Sequence, residues 1–170
     1  MLENAHFLRE STEMMVDPFS DVLTLTSAEA VVTGGFTAGG PWAISFPGRD
    51  KIKFFAVVKG SCWVTLEGKP EPFHFETGDV GLLAARRGFV LASDPGLAPV
   101  DAMSLFSGAG RTLATLGDGS EFAHIGGHVL LDPARGGLLA DILPPWIHTR
   151  AASPQAAIFR WLLDRLIEER

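Results

Sequence analysis

The side chains that could do chemistry in this sequence are few and scattered. Five histidines, His6, His74, His124, His128 and His148, are the candidates for metal binding or proton transfer, and Cys62 is the one thiol. A zinc site needs three or four converging ligands. His124 and His128 are four residues apart on a predicted strand, about 13 Å along it. That is too far for one ion unless Gly126-Gly127 bulges sharply. His74 alternates with Phe73 and Phe75 and is expected to face away from them. Each histidine reads as a surface or singly hydrogen-bonded imidazole. Cys62 lies in an apolar run and reads as a small buried hydrophobe. A nucleophilic site would need Ser or Cys beside an oriented His, and no Gly-x-Ser-x-Gly element is present. Gly108-Ala109-Gly110 is too short for a dinucleotide fingerprint. Glu76 and Asp79 could pair for acid–base work, but Asp79 follows Gly78 in a turn, where Asp bonds the local backbone. Arg86-Arg87 reads as a solvated turn rather than an anion site.

The elements around these residues are short strands. From Lys53 to Asp94, apolar runs alternate with glycine-containing breaks at Gly60, Gly68, Gly78 and Gly88. Regular short strands with turn chemistry between them predict an all-β sandwich or barrel. Upstream, Asp17-Pro18 opens a predicted short helix, and residues 29–37 have strand character broken at Gly34-Gly35. Trp42, Ile44 and Phe46 share one face of the next strand. Downstream, residues 100–106 fit either a helical turn or an edge strand. Residues 122–131 read as a longer strand, with Gly126-Gly127 suggesting a bulge. A short helix over 136–143 is stopped by Pro144-Pro145. Ser153-Pro154 then caps a last helix. Ile158, Phe159, Trp161, Leu162, Leu163, Leu166 and Ile167 give that helix an apolar face broad enough for a second subunit as well as the barrel.

Composition narrows the function classes. At 170 residues one domain is expected. The formal net charge of −6 argues against nucleic-acid binding through a basic face. The lone cysteine excludes an internal disulfide and fits a reducing compartment. Apolar stretches are too short to span a membrane, and charges at Glu3, Arg9, Glu10 and Glu13 interrupt any signal-peptide core. The expected location is the cytoplasm.

Several short motifs, weak singly, occur in a specific order. They are Asp17-Pro18-Phe19-Ser20-Asp21-Val22-Leu23, Gly39-Gly40-Pro41-Trp42, Gly60-Ser61-Cys62-Trp63, Leu91-Ala92-Ser93-Asp94-Pro95 and Leu143-Pro144-Pro145-Trp146-Ile147-His148. Together they resemble the N-terminal cupin domain of AraC-family transcriptional regulators, which are bacterial, over residue 17 to the end. The resemblance implies a mainly β fold: a cupin-type double-stranded β-helix, or jelly-roll barrel, with a short N-terminal helix and C-terminal helices. Residues 1–16 are then a weakly ordered extension, 17–152 the barrel, and 153–170 an amphipathic helix. In the cupin register Gly68 ends the first motif and Gly78 begins the second. The usual metal ligands then fall on Phe55, Val57, Ser61 and Phe89, none of which can ligate strongly, and no metal or other cofactor is expected.

In that family this domain senses a small effector or mediates dimerisation, and a separate helix-turn-helix domain binds DNA. Nothing in these 170 residues resembles that second domain. The last residues carry no helix stop, so the natural chain is expected to continue past Arg170. The resemblance implies no catalysis, an unidentified small-molecule effector, a homodimer through Ile158, Trp161, Leu162 and Leu166, and no contact with DNA or membrane by this part of the protein. Strand alternation in that register turns Phe55, Val57, Ser61, Trp63, Thr65, Phe89 and Leu91 into the barrel, joined by Trp42. These eight are the expected ligand-binding residues, lining an aromatic pocket with two hydroxyls. A metal-free cupin enzyme such as an isomerase, or a dimerisation module with a filled barrel, are the alternatives.

Overall fold

The computed structural model describes residues 29–49, 51–84, 86–107, 113–130 and 143–153. The predicted helix at Asp17, most of the one over 136–143, and the last helix with its four interface residues lie outside them. Within the described residues eleven strands make two sheets. In chain order they are β1 (Glu29–Ala38), β2 (Ala43–Phe46), β3 (Ile52–Lys59), β4 (Ser61–Leu66), β5 (Phe73–Glu76), β6 (Val80–Leu83), β7 (Phe89–Ala92), β8 (Val100–Asp101), β9 (Leu113–Leu116), β10 (Phe122–Leu130) and β11 (Trp146–Thr149). One sheet has the order β11-β6-β3-β10-β1-β9, the other β5-β4-β7-β2-β8. Within the described residues the one helix, α1 (Ala102–Leu105), follows β8 directly. Residues 100–106 are thus both of the forms their sequence fits. Asp101 ends the strand and caps the helix, its carboxylate accepting from the Met103 amide at 2.8 Å.

Two glycine corners close the barrel. β3 and β4 belong to different sheets although only Gly60 separates them, and β5 and β6 also change sheets, through Gly78. Both glycines have positive φ, 80° and 89°, a region costly for any residue with a Cβ. A side chain on Gly60 would also stand 2.4 Å from the Glu121 carbonyl oxygen. The corners are tied together. The Gly78 amide donates to the Val57 carbonyl at 2.8 Å, and the Thr77 hydroxyl donates to the Gly60 carbonyl at 3.0 Å.

Between the sheets lies one apolar core. Phe36, Phe55, Val57 and Leu83 come from the larger sheet, and Ile44, Val64, Phe75 and Leu91 from the smaller, all essentially without solvent exposure. Burial of each such side chain contributes about 1.5–3 kcal/mol. The predicted bulge is displaced. Gly126 and Gly127 pair in register with β3, and the irregularity lies across from them on β1, between Val32 and Gly34. A second irregularity sits on the β10–β3 ladder, where Ala123 pairs with Lys59 and His124 with Val57.

A candidate ligand cavity at the mouth of the barrel

β3 explains how the site arises. Its alternate residues Phe55 and Val57 point into the core, and the same parity reaches Lys53 at the start of the strand. Lys51 and Arg49 lie in the segment just before it. On β10 the corresponding face carries Phe122, His124, Gly126 and His128. Arg49, Lys51, Lys53, His124, Gly126 and His128 line a cavity of about 380 Å³, within the range of small-molecule pockets. Its wall runs from buried Phe89, Ala102 and His124 to exposed Arg49, Lys51 and Met103, so it opens to solvent at one end.

His124 sits at the inner end, 5 % exposed. It packs among aromatic rings, with centroid distances of 4.8 Å to Phe36, 5.8 Å to Phe55 and 6.1 Å to Phe46. Among the described residues neither ring nitrogen has a hydrogen-bond partner. Burial pushes its pKa down to about 3, so the imidazole is neutral at pH 7, with one donor and one acceptor to offer. Gly126 makes room for this ring: a Cβ there would stand 3.1 Å from its Cε1.

The mouth is electropositive. Arg49, Lys51, Lys53 and His128 line it, and none of the described lining residues is acidic. The Lys53 ammonium lies 5.5 Å from the centroid of Phe89 and donates to the Pro47 carbonyl. Burial, then the neighbouring charge of Arg49, hold it below the usual lysine range. Burial, then Lys51, likewise lower His128. The Arg49 guanidinium points at the Met103 sulfur, 2.9 Å away. Phe46 and Phe89, stacked at 4.8 Å, form an apolar wall.

A second polar cluster lies where β11 meets β6. Asp79 is 6 % exposed. It accepts from the His148 ring at 3.0 Å, the Ala151 amide at 2.8 Å and the Glu76 amide at 3.2 Å. Burial opposes ionisation, but these hydrogen bonds outweigh it and hold the carboxyl below its ordinary pKa. His148 stacks on Phe75 at 3.7 Å. The local-backbone role expected of Asp79 holds for the Glu76 amide, and the other two bonds are long-range. Trp146 Nε1, also without a partner, packs beside Phe55, Phe73 and Phe75 and does not line the cavity.

The expected ligand residues divide into groups. Phe89 lines the cavity. Phe55, Val57 and Leu91 are packed into the core behind it. Trp42 borders a different recess, near Leu97 and Leu116. Ser61, Trp63 and Thr65 require a correction. They lie on the outer face of β4, while Cys62, Val64 and Leu66 are buried. Gly60 is the reason: a corner with positive φ resets which parity faces inward, so β4 does not inherit the facing of β3. Trp63 stacks outside against His74 at 4.7 Å, and the expected pair of hydroxyls is replaced by cations and imidazoles. His124 is a correction too, neither surface nor singly hydrogen-bonded. Alternation from Phe122 and from Phe55 would have found His124 and Lys53.

The cupin metal positions of this chain do not suit a metal ion. The cupin ligand positions Phe55, Val57 and Phe89 are buried hydrocarbon and Ser61 faces outward. Among the described residues no group of three His, Cys, Asp or Glu could hold an ion.

Two opposed β-sheets, glycine corners and a cavity between the sheet faces define a cupin barrel. The model of a family described as Cupin matches residues 17–170, and the chain belongs to that family. It is similar to AraC-like transcription regulators. One from Streptomyces lividans is 37 % identical over 154 residues, 91 % of this chain and 51 % of that protein. Another, from Streptomyces antibioticus, is 36 % identical over the same shares. The chain thus spans about half the length of the curated relatives it matches. Among solved structures, ToxT from Vibrio cholerae O395 aligns with a TM-score of 0.47 at 9 % identity, covering 84 % of this chain and 46 % of that one. No helix among the described residues is long and apolar enough to cross a membrane.

Proposed function

We propose that this chain is the effector-sensing and dimerisation domain of a cytoplasmic AraC-type regulator and catalyses nothing itself. The observation that carries the reading is the cavity with His124 at its inner end: a buried imidazole without partners, facing a space of ligand size. A buried polar group without a partner costs free energy, and an effector supplying that partner removes the cost. For a ligand to switch the regulator it must favour one arrangement of the attached DNA-binding domains over another. The cavity supports sensing over a filled barrel. The absence of any carboxylate among the described lining residues supports sensing over isomerase chemistry, which would need a paired acid and base.

A thermal-shift screen against small metabolites tests the reading, because a ligand of the native state raises the midpoint by mass action. Hits should move the imidazole resonances of His124. Hits that all leave His124 unmoved and shift residues elsewhere would refute the cavity as effector site. Dimerisation is assigned to the last helix: charged residues at Leu162 and Leu166 together should give folded monomers by sedimentation. A dimer that survives this change uses another surface.

A further inference from the structure

We propose that the cavity receives an amphipathic organic anion: a carboxylate held at the mouth by Arg49, Lys51 and Lys53, an apolar ring-containing body against Phe46 and Phe89, and a hydrogen-bonding group that reaches His124. The inference rests on the effector-site reading above and specifies its ligand class.

Charge is the first argument. The chain has 20 acidic and 14 basic residues, yet the described lining holds three cations and no acid. Among the described residues none of the three has a carboxylate within ion-pair distance. All three line the same cavity, Lys53 from the start of β3 and Arg49 and Lys51 from the segment before it. Lys53 is partly buried there, so holding an ammonium beside a guanidinium without a counter-ion is unfavourable. A carboxylate at the mouth relieves that repulsion, and Arg49 can bind it through two donors.

The interior sets the rest of the ligand. Phe46, Phe54, Phe89 and Phe106 give the walls aromatic surface, which suits a flat apolar body. A cavity of about 150 Å³ accommodates benzene, so one of about 380 Å³ takes roughly fifteen non-hydrogen atoms. At the inner end, His124 needs a hydroxyl or similar group able to donate or accept. A charged group is not suited to that end, since it would be buried among rings.

The test is a matched pair of probes, 4′-hydroxybiphenyl-4-carboxylate and its neutral carboxamide. Each is titrated into the purified protein at low ionic strength by calorimetry, with the His124 resonances followed by NMR. The acid should bind about tenfold tighter than the amide, and added salt should weaken only the acid. Arg49→Gln with Lys51→Gln, both at exposed positions, should bring the ratio close to one, with the loss falling mainly on the acid. Lys53→Gln, checked for an unchanged melting midpoint, should act the same way. An amide that binds as well as the acid while moving His124 would overturn the anion class and leave the effector site standing. If neither probe moves His124, the inference and the site reading beneath it both fail.

Discussion

Two histidines, His124 buried and His148 half-buried, mark the two polar regions of this barrel, and they are held in opposite ways. His148 on β11 meets the Asp79 carboxylate at 3.0 Å and stacks on Phe75. His124 on β10 meets aromatic rings and has no polar partner among the described residues. The Asp79 cluster is satisfied from three directions and fastens β11 and Ala151 onto the barrel next to the Gly78 corner. Such a network rigidifies. At His124 the structure tolerates an unsatisfied group, which stability alone disfavours. The satisfied cluster has an architectural role, and the proposal above gives the unsatisfied imidazole a partner that arrives from outside.

The contrast breaks most sharply at Asp79. Asp79→Ala strands the His148 ring and two amides, and should cost about 3–5 kcal/mol in urea unfolding. A loss below about 1 kcal/mol would mean that the cluster is not structural. Acid is the next largest effect. The His124 pKa is about 3 in the fold against about 6.5 in an unfolded chain. As pH falls below 6.5 the unfolded state takes up the proton first, so stability is full above 6.5 and declines down to about 3. By pH 4 the loss from this group is about 3 kcal/mol. Asp79, whose pKa is also depressed, acts in the same direction but only below about pH 4. His124→Phe should flatten the decline between pH 6.5 and 4, and a pH series of chemical denaturation measures both.

At neutral pH the same variant has the opposite sign to Asp79→Ala. His124→Phe removes an unpaired polar group from an aromatic cluster and should be neutral or stabilising by about 1 kcal/mol, while effector response is lost. A destabilisation of several kcal/mol would show that His124 has a partner within the fold. The smallest effect belongs to Trp63→Ala. On the outer face of β4 this should cost about 1 kcal/mol and leave ligand response intact, whereas Val64→Ala, in the core, should cost about 1–3 kcal/mol. Equal losses at the two positions would contradict the facing of β4.

β4 also shows how far the sequence can be read. Ser61-Trp63-Thr65 and Cys62-Val64-Leu66 are both credible inward sets, because Trp63 is as apolar as Val64. Alternation identifies two faces of a strand but does not say which one meets the core. On β3 the apolar pair Phe55 and Val57 decided the question locally. On β4 the cupin register put Ser61, Trp63 and Thr65 inward, and the corner at Gly60 turns the other set to the core.

The amino-acid sequence by itself determined an all-β fold of short strands and glycine corners, and its resemblance to a cupin domain made that fold a barrel. Short β-branched and aromatic runs, with glycines where the backbone needs positive φ, specify strands and corners through local sterics and period. It also determined that the cupin ligand positions hold no imidazole or carboxylate, since that is a matter of residue type. Closure of the two sheets decided the rest. Arg49, Lys51 and Lys53 stand about seventy residues from His124 along the chain, and Asp79 stands 69 from His148. Whether such residues meet depends on which strands become neighbours. Whether a histidine is solvated, paired or left without a partner follows from that non-local arrangement, and so does the assignment of one cluster to structure and the other to a ligand.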